Sequence, residues 1–497
     1  MRALLIRIVG RFEGTEVQTL LLRELRNSNK LIQAAAAAQI GNHLDLRAIR
    51  DTCQLLGRNT LLSAVRGPLE DSLSKMTDPA RVKVFMKEVS RIRKPSGLAS
   101  AARILGALGH EDGQSLLRKW ARHRDIDVSY YALESLRQFD DPSLRGVFEM
   151  AIGSRHSDVV ISGILGLGKC AASDAQASRK IFQCLASKSP VQRMAAADAV
   201  GQNDLIEAFP DLVDLLEDSD WRVRSAAIEN LLRVRIREAV GPLIERLGKE
   251  TGRLHHDVIH ALEELTGKSL GDSVANWHSW WQRDGKTFRV PSRSAKRNSR
   301  RSPKKIGGEE KSEVGYFGIP IHSDRIVFVL DVSNSMRAPV DGSQATVTRG
   351  GSGGGTTRLD AATQNLVEVI GDFDSDVHFN LVFFHSKVFR WNAKLAPAIE
   401  VNKNRAIRFV KKQTTALETL IYDSVQTAME MPGVDTVILL TDGAPTTGEF
   451  THPGEMVREI LRQNRSRRIQ IHTIDLGGSQ QWMTRLAKAT GGRTLAR

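Results

Sequence analysis

Ile326-Val327-Phe328-Val329-Leu330-Asp331-Val332-Ser333-Asn334-Ser335 decides how the second half of this chain folds. Five consecutive apolar residues, most of them β-branched or aromatic, predict a strand buried on both faces of a parallel sheet. A carboxylate and two hydroxyls follow at alternate positions, where that strand must end. In an open α/β sheet, ligands bind outside the carboxyl ends of the strands. Carboxylate and hydroxyl oxygens are hard ligands, suited to Mg²⁺ and unsuited to zinc.

Working outward, strands alternate with helical patterns from Tyr316 onward, which implies a parallel sheet with right-handed crossovers. A helix is expected over 358–373, with Leu359, Ala362, Leu366, Val369 and Ile370 as its apolar stripe. A strand over 380–384 and a short antiparallel edge strand over 388–391 follow. Further helices are expected over 402–412, 420–431, 452–467 and 480–490. Strands at 436–441 and 469–475, and a short last strand after Gly491-Gly492, complete the sheet. The glycine run Gly350 to Gly355 lacks the lysine of a nucleotide loop and reads as a flexible insertion.

D-x-S-x-S at the end of such a strand resembles the metal-ion-dependent adhesion site (MIDAS) of the von Willebrand factor type A (VWA) domain, and the resemblance extends over about 316–497. It implies a doubly wound, Rossmann-like α/β domain. That family has a strand ending in Thr-Asp-Gly, and Thr436-Val437-Ile438-Leu439-Leu440-Thr441-Asp442-Gly443 fits. It also supplies a threonine from a loop before a helix. The nearest match is Leu417-Glu418-Thr419-Leu420-Ile421-Tyr422-Asp423, which makes Thr419 the third-loop ligand. By resemblance, Ser333, Ser335 and Thr419 offer hydroxyls to Mg²⁺ (or Mn²⁺), while Asp331 and Asp442 act directly or through water. An acidic side chain from a protein partner completes the coordination. Two departures stand out. Asn334 replaces the usual glycine between the serines, and Leu417-Glu418 replaces a Gly-Gly pair, which leaves Thr414 and Thr415 as alternative loop ligands. Glu418 adds an acid that either strengthens cation binding or repels an acidic ligand.

The first half shows an internal repeat between about 28 and 267, with helix ends such as Leu105-Gly106-Ala107-Leu108-Gly109 and Ala197-Asp198-Ala199-Val200-Gly201 recurring every thirty or so residues. Small residues at these positions let paired helices approach closely. The best unit is Asp218-Ser219-Asp220-Trp221-Arg222-Val223-Arg224-Ser225-Ala226-Ala227-Ile228. Its acidic turn followed by V-R-x-A-A resembles the HEAT repeat, with Asp220 as helix cap. The resemblance implies an α-solenoid whose surface serves a second protein partner or acts as a scaffold. Gly267-Lys268-Ser269 imitates a phosphate loop, but Leu262 stands where the required glycine belongs and a helix precedes it. Trp277, Trp280 and Trp281 share one helical face and are expected to cap the last repeat.

The resulting organisation is multidomain: a HEAT-like helical repeat domain over 1–282, a basic flexible linker over 283–315, and a VWA domain over 316–497. The net charge of +14 is concentrated, because 286–305 holds nine Lys or Arg and no acid. Without aromatics interleaved within 290–305 to stack on bases, the segment reads as a solvated tether, and nucleic acid is not the expected partner. Cys53, Cys170 and Cys184 form no metal or disulfide pattern and are expected to be buried. No apolar run is long enough for a transmembrane segment. The start of the chain lacks a leader pattern, which gives the cytoplasm as default compartment, though the chain could begin inside a larger protein. His322 and His385 fall in no catalytic pattern, so the expected function is non-enzymatic: cation-dependent protein–protein interaction. The alternative is an accessory, recruiting subunit of a chelatase- or AAA+-type assembly, or a scaffold with an inactive metal site.

Overall fold

The computed structural model describes residues 1–58, 63–291, 314–340, 357–478 and 480–496. Residues 292–313 of the expected linker and the glycine run Gly350 to Gly355 lie outside the described residues. The chain divides into two compact units, Met1–Val234 and Arg235–Arg497.

In the first unit, helices Pro95–Leu108, Ile126–Leu136, Ser157–Ala171, Pro190–Gln202 and Trp221–Val234 each pack on the next. The small residues at the crossings explain the close approach. A Cβ at Gly106 would fall 2.4 Å from Ser135 Oγ, and one at Gly201 would fall 2.1 Å from Asn230 Oδ1. Those polar groups are themselves satisfied: Ser135 Oγ donates to the Ala102 carbonyl at 2.7 Å, and Asn230 Nδ2 donates to Asp198 Oδ1 at 2.8 Å. Hydrogen bonding of this kind removes most of the cost of burying them. Asp220 caps its helix by accepting from Arg222 N at 2.9 Å. All three cysteines are free and buried.

The second unit opens with helical repeat sequence. Helix α1 (Gly252–Thr266) ends on Gly267 at φ 71°, a left-handed cap, so Gly267-Lys268-Ser269 is a helix end. In α2 (Val274–Asp284), Trp277 and Trp280 are buried. The sheet follows. Strand β1 (Arg325–Asp331) is joined by helix α3 (Arg358–Asp372) to β2 (His378–Phe384) and the edge strand β3 (Val388–Arg390). Helix α4 (Ile421–Met429) then leads to β4 (Thr436–Thr441), β5 (Gln470–Asp475) and β6 (Thr494–Ala496). Strand order is β3-β2-β1-β4-β5-β6, with Ala396–Pro397 also paired to β2. Among the described residues of this sheet, the β2–β3 and Ala396–Pro397 pairings are antiparallel and the others parallel.

The two-sided burial expected of β1 is present. Ile326, Phe328 and Leu330 pack with Leu366, Val369 and Ile370 on one face. Val327 and Val329 pack with Ile421, Val425 and Ile460 on the other. The order also places β1 between β2 and β4, so the chain reverses its winding direction there. A doubly wound sheet opens its crevice at such a switch point, outside the carboxyl ends of the two strands. The last residue of β1 and the first residues after β4 therefore share that crevice. Among the described residues, no helix is long and apolar enough to cross a membrane.

Candidate metal centre

Asp331 ends β1 with its side chain fully buried. Its Oδ1 accepts from Ser333 N at 2.7 Å, and its Oδ2 accepts from Thr441 Oγ1 at 2.5 Å. The chain then enters a short 3₁₀ turn, Asn334–Arg337. The turn sets Ser333 Oγ and Ser335 Oγ 2.9 Å apart. Ser335 Oγ donates to Asp442 Oδ1 at 2.7 Å, across 107 residues of sequence. Asp331, Ser333, Ser335 and Asp442 thus line one hydrogen-bonded path over the β1–β4 crevice.

The third loop reaches the same place. Ala416 N donates to the Val332 carbonyl at 3.1 Å, and Ser333 and Ala416 form a parallel bridge. Thr419 is buried, its N–H donating to Thr446 Oγ1 at 2.7 Å and its carbonyl accepting from Thr446 N at 3.1 Å. Thr446 lies four residues past Asp442, so Thr419 is tied to the loop that follows β4. Of the alternatives, Thr414 is exposed and Thr415 accepts a hydrogen bond from Arg337 Nε. Leu417 is 70 % exposed, and Glu418 sits at φ 72°. A residue with a Cβ is strained there, which accounts physically for glycine at this place in similar loops.

Several contributors escaped the sequence reading. Thr441 holds the buried Asp331 carboxylate, and only its place in Thr-Asp-Gly hinted at a role. Arg358, the first residue of α3, puts Nη1 2.8 Å from Asp442 Oδ2. Gly477 allows the loop after β5 to pass under Asp442, since a Cβ there would lie 1.9 Å from the Asp442 carbonyl oxygen. No local pattern marks either contact.

Burial pushes the Asp331 carboxyl up to about 6; the Asp442 charge adds to the rise, while the bonds from Thr441 and Ser333 oppose it. Chemically the set contains only oxygens, two carboxylates and three hydroxyls, which fits a hard divalent cation. Among the described residues no group of three or more His, Cys, Asp and Glu is placed to hold a metal ion. Any cation here depends on the hydroxyls.

Comparisons with known proteins define the class. Residues 352–495 match the model of the von Willebrand factor type A domain, and 178–263 match HEAT repeats. The chain therefore carries HEAT repeats followed by a VWA domain, with a helical first part and a mostly parallel α/β sheet, as the sequence reading expects. Its relatives include inter-alpha-trypsin inhibitor heavy chain 4 of Mus musculus, 30% identical over 166 residues, covering 30% of this chain and 16% of that protein. Heavy chain H4 of Homo sapiens is 28% identical over 207 residues, covering 37% and 20%. The chain thus matches a fifth or less of the length of these relatives. Among solved structures, the PilB minor pilin from Streptococcus sanguinis aligns over 36% of this chain and 58% of its own, at 16% identity and TM-score 0.26. Kap121p aligns over 51% and 33%, at 13% identity and TM-score 0.33. Neither structural likeness adds to the argument.

Proposed function

We propose that the chain is a non-enzymatic interaction protein that binds a protein partner through a divalent cation, Mg²⁺ or Mn²⁺. In this reading Ser333, Ser335 and Thr419 contribute hydroxyl ligands, and Asp331 and Asp442 contribute carboxylates directly or through water. When bound, the cation supplies one open coordination position for an acidic side chain of the partner. The chain's own residues do the rest. Thr441 and the Ser333 N–H orient Asp331, Ser335 orients Asp442, and Thr446 fixes the loop that carries Thr419. The reading assigns the cation-dependent contact to 316–497 and a scaffold or second binding surface to 1–282, with 283–315 as tether. The VWA match and the likeness to heavy chains of a larger inhibitor support a protein-interaction role.

The observation that carries the proposal is the Ser335–Asp442 hydrogen bond at 2.7 Å, which draws the ends of β1 and β4 to one point. The test is thermal melting of the full chain with and without Mn²⁺. At a hundredfold excess over Kd, binding stabilises by about 2.7 kcal/mol, or a shift of roughly 5–10 °C in the transition of a domain of about 180 residues. Asp331→Ala and Asp442→Ala are expected to remain folded and to lose this shift. An equal shift in both variants would rule the site out. A second reading, a scaffold with an inactive metal site, draws on the Arg358–Asp442 pair, which already gives Asp442 a counter-charge. It calls for no Mn²⁺ shift even in the unmodified chain.

A further inference from the structure

We infer that Arg358 sets the charge of the candidate metal centre, holding cation affinity down so that the loaded site keeps a net positive charge for an incoming carboxylate. The inference rests on the cation-binding reading above and deepens it. Arg358 is placed firmly. Its backbone N–H donates to the Ala338 carbonyl at 2.9 Å, and Pro339 pairs with Thr357, so the start of α3 is tied to the turn that carries Ser333 and Ser335. Thr357 and Asp360 form a reciprocal capping box that fixes the first turn of the helix. From that position Nη1 reaches Asp442 Oδ2 at 2.8 Å, leaving Oδ1 to Ser335. Among the described residues the buried Nε has no hydrogen-bond partner. The guanidinium is thus directed at Asp442.

The charge count gives the consequence. Asp331, Asp442 and a divalent cation alone sum to zero, and a neutral centre has no long-range attraction for an anion. Arg358 raises the sum to one positive charge. The same charge repels the cation, so the guanidinium trades cation affinity for anion attraction. A residue that only positioned Asp442 would act in the opposite direction, because its loss would misplace a ligand and weaken the cation. The sign of the effect therefore separates the two roles.

The experiment is isothermal titration of the full chain with Mn²⁺ alone at low ionic strength, for the unmodified protein, Arg358→Lys, Arg358→Gln and Asp331→Ala. Arg358→Gln is expected to tighten Mn²⁺ binding roughly tenfold, the scale of removing a like charge held 2.8 Å from a candidate ligand oxygen. Arg358→Lys is expected to stay near the unmodified value. Should Arg358→Gln melt below the working temperature, Arg358→Met preserves the apolar stem and carries the same expectation. Added acetate, as the anion probe, is expected to tighten Mn²⁺ binding in the unmodified chain and not in the neutral variant. Unchanged or weakened Mn²⁺ binding in the neutral variants, or an equal acetate effect in both, overturns the inference while leaving the metal site in place. Absence of Mn²⁺ binding in the unmodified chain, matching Asp331→Ala, overturns the site and the inference together.

Discussion

The two ends of the parallel sheet use charge in opposite ways. At the carboxyl ends, Asp331 and Asp442 meet hydroxyls and a single guanidinium, and one carboxyl is held up near 6 by burial. At the amino ends, α1 lies against the sheet, and its Arg253 reaches backbone carbonyls as well as Asp257. Arg253 Nη1 donates to the Asp435 carbonyl at 2.8 Å and to the Arg468 carbonyl at 2.7 Å, the residues just before and near the start of β4 and β5. Beside it, His256 stacks on His322 with ring centroids 3.6 Å apart and planes 9° from parallel. Burial holds both rings below the usual histidine range. One end is closed on itself and structural; the other keeps charge that a ligand can use. Ion pairs occur at both ends, Arg325–Asp435 at 2.8 Å among them, so the contrast teaches that the place to look for function in this fold is where two carboxylates from separate loops converge beside hydroxyls.

Breaking the structural end should have the largest effect on stability. Arg253→Met removes one hydrogen bond from each of two carbonyls, of which Asp435 keeps the bond from Gln470 N at 2.8 Å, and takes from Asp257 the guanidinium 3.3 Å away. Chemical denaturation should show a loss of about 2–4 kcal/mol, since hydrogen bonds from a charged donor contribute about 1.5–3 kcal/mol each. The Mn²⁺-induced melting shift should survive. A loss under about 0.5 kcal/mol, the level of an ordinary surface change, would show that α1 does not depend on this guanidinium.

The second comparison uses pH, because the two ends titrate with opposite sign. His256 and His472 are lowered from 6.5 to about 4, by burial first, with nearby charges on His322, Arg253 and Arg493 adding to the effect. Asp257 and His260 also face His256, the former opposing the shift. A depressed histidine is neutral in the fold, so its stabilisation is complete above about 6.5 and fades as pH falls towards 4. Asp331 does the reverse. Its raised pKa stabilises the cation-free chain below about 4, and that contribution is lost as pH rises through about 6. Melting curves from pH 4.5 to 7.5 should therefore show acid destabilisation that His256→Gln with His472→Gln reduces. Mn²⁺ should stabilise much more at pH 7.5 than at 4.5, where protons compete for Asp331. A Mn²⁺ shift independent of pH would separate Asp331 from the cation.

The smallest effect concerns the strained loop. Glu418 at φ 72° costs about 1 kcal/mol relative to glycine. Glu418→Gly should raise the denaturation midpoint by a corresponding amount in the absence of cation, whereas destabilisation would show that the side chain does more than occupy the turn.

Much of this was legible in the sequence, for a physical reason. A strand buried on both faces must be apolar throughout, so Ile326 to Leu330 and Val437 to Leu440 announce themselves, and ligands at their ends follow. Closely crossing helices need small residues, so Gly106 and Gly201 mark the repeats. The remainder depends on groups distant in sequence. Arg358 meets Asp442 across 84 residues, and Arg253 meets carbonyls 182 and 215 residues away. A carbonyl acceptor is present at every residue and leaves no sequence signature. The left-handed geometry of Glu418 was signalled through the resemblance alone, in which a Gly-Gly pair stands at this place.

The most direct test is anomalous X-ray scattering from crystals of the chain grown with Mn²⁺. The account requires a manganese peak in the β1–β4 crevice, bounded by Ser333, Ser335 and Thr419 with Asp331 and Asp442 in its coordination sphere. Well-ordered crystals with no peak there at saturating Mn²⁺, or with manganese bound only elsewhere, would contradict it.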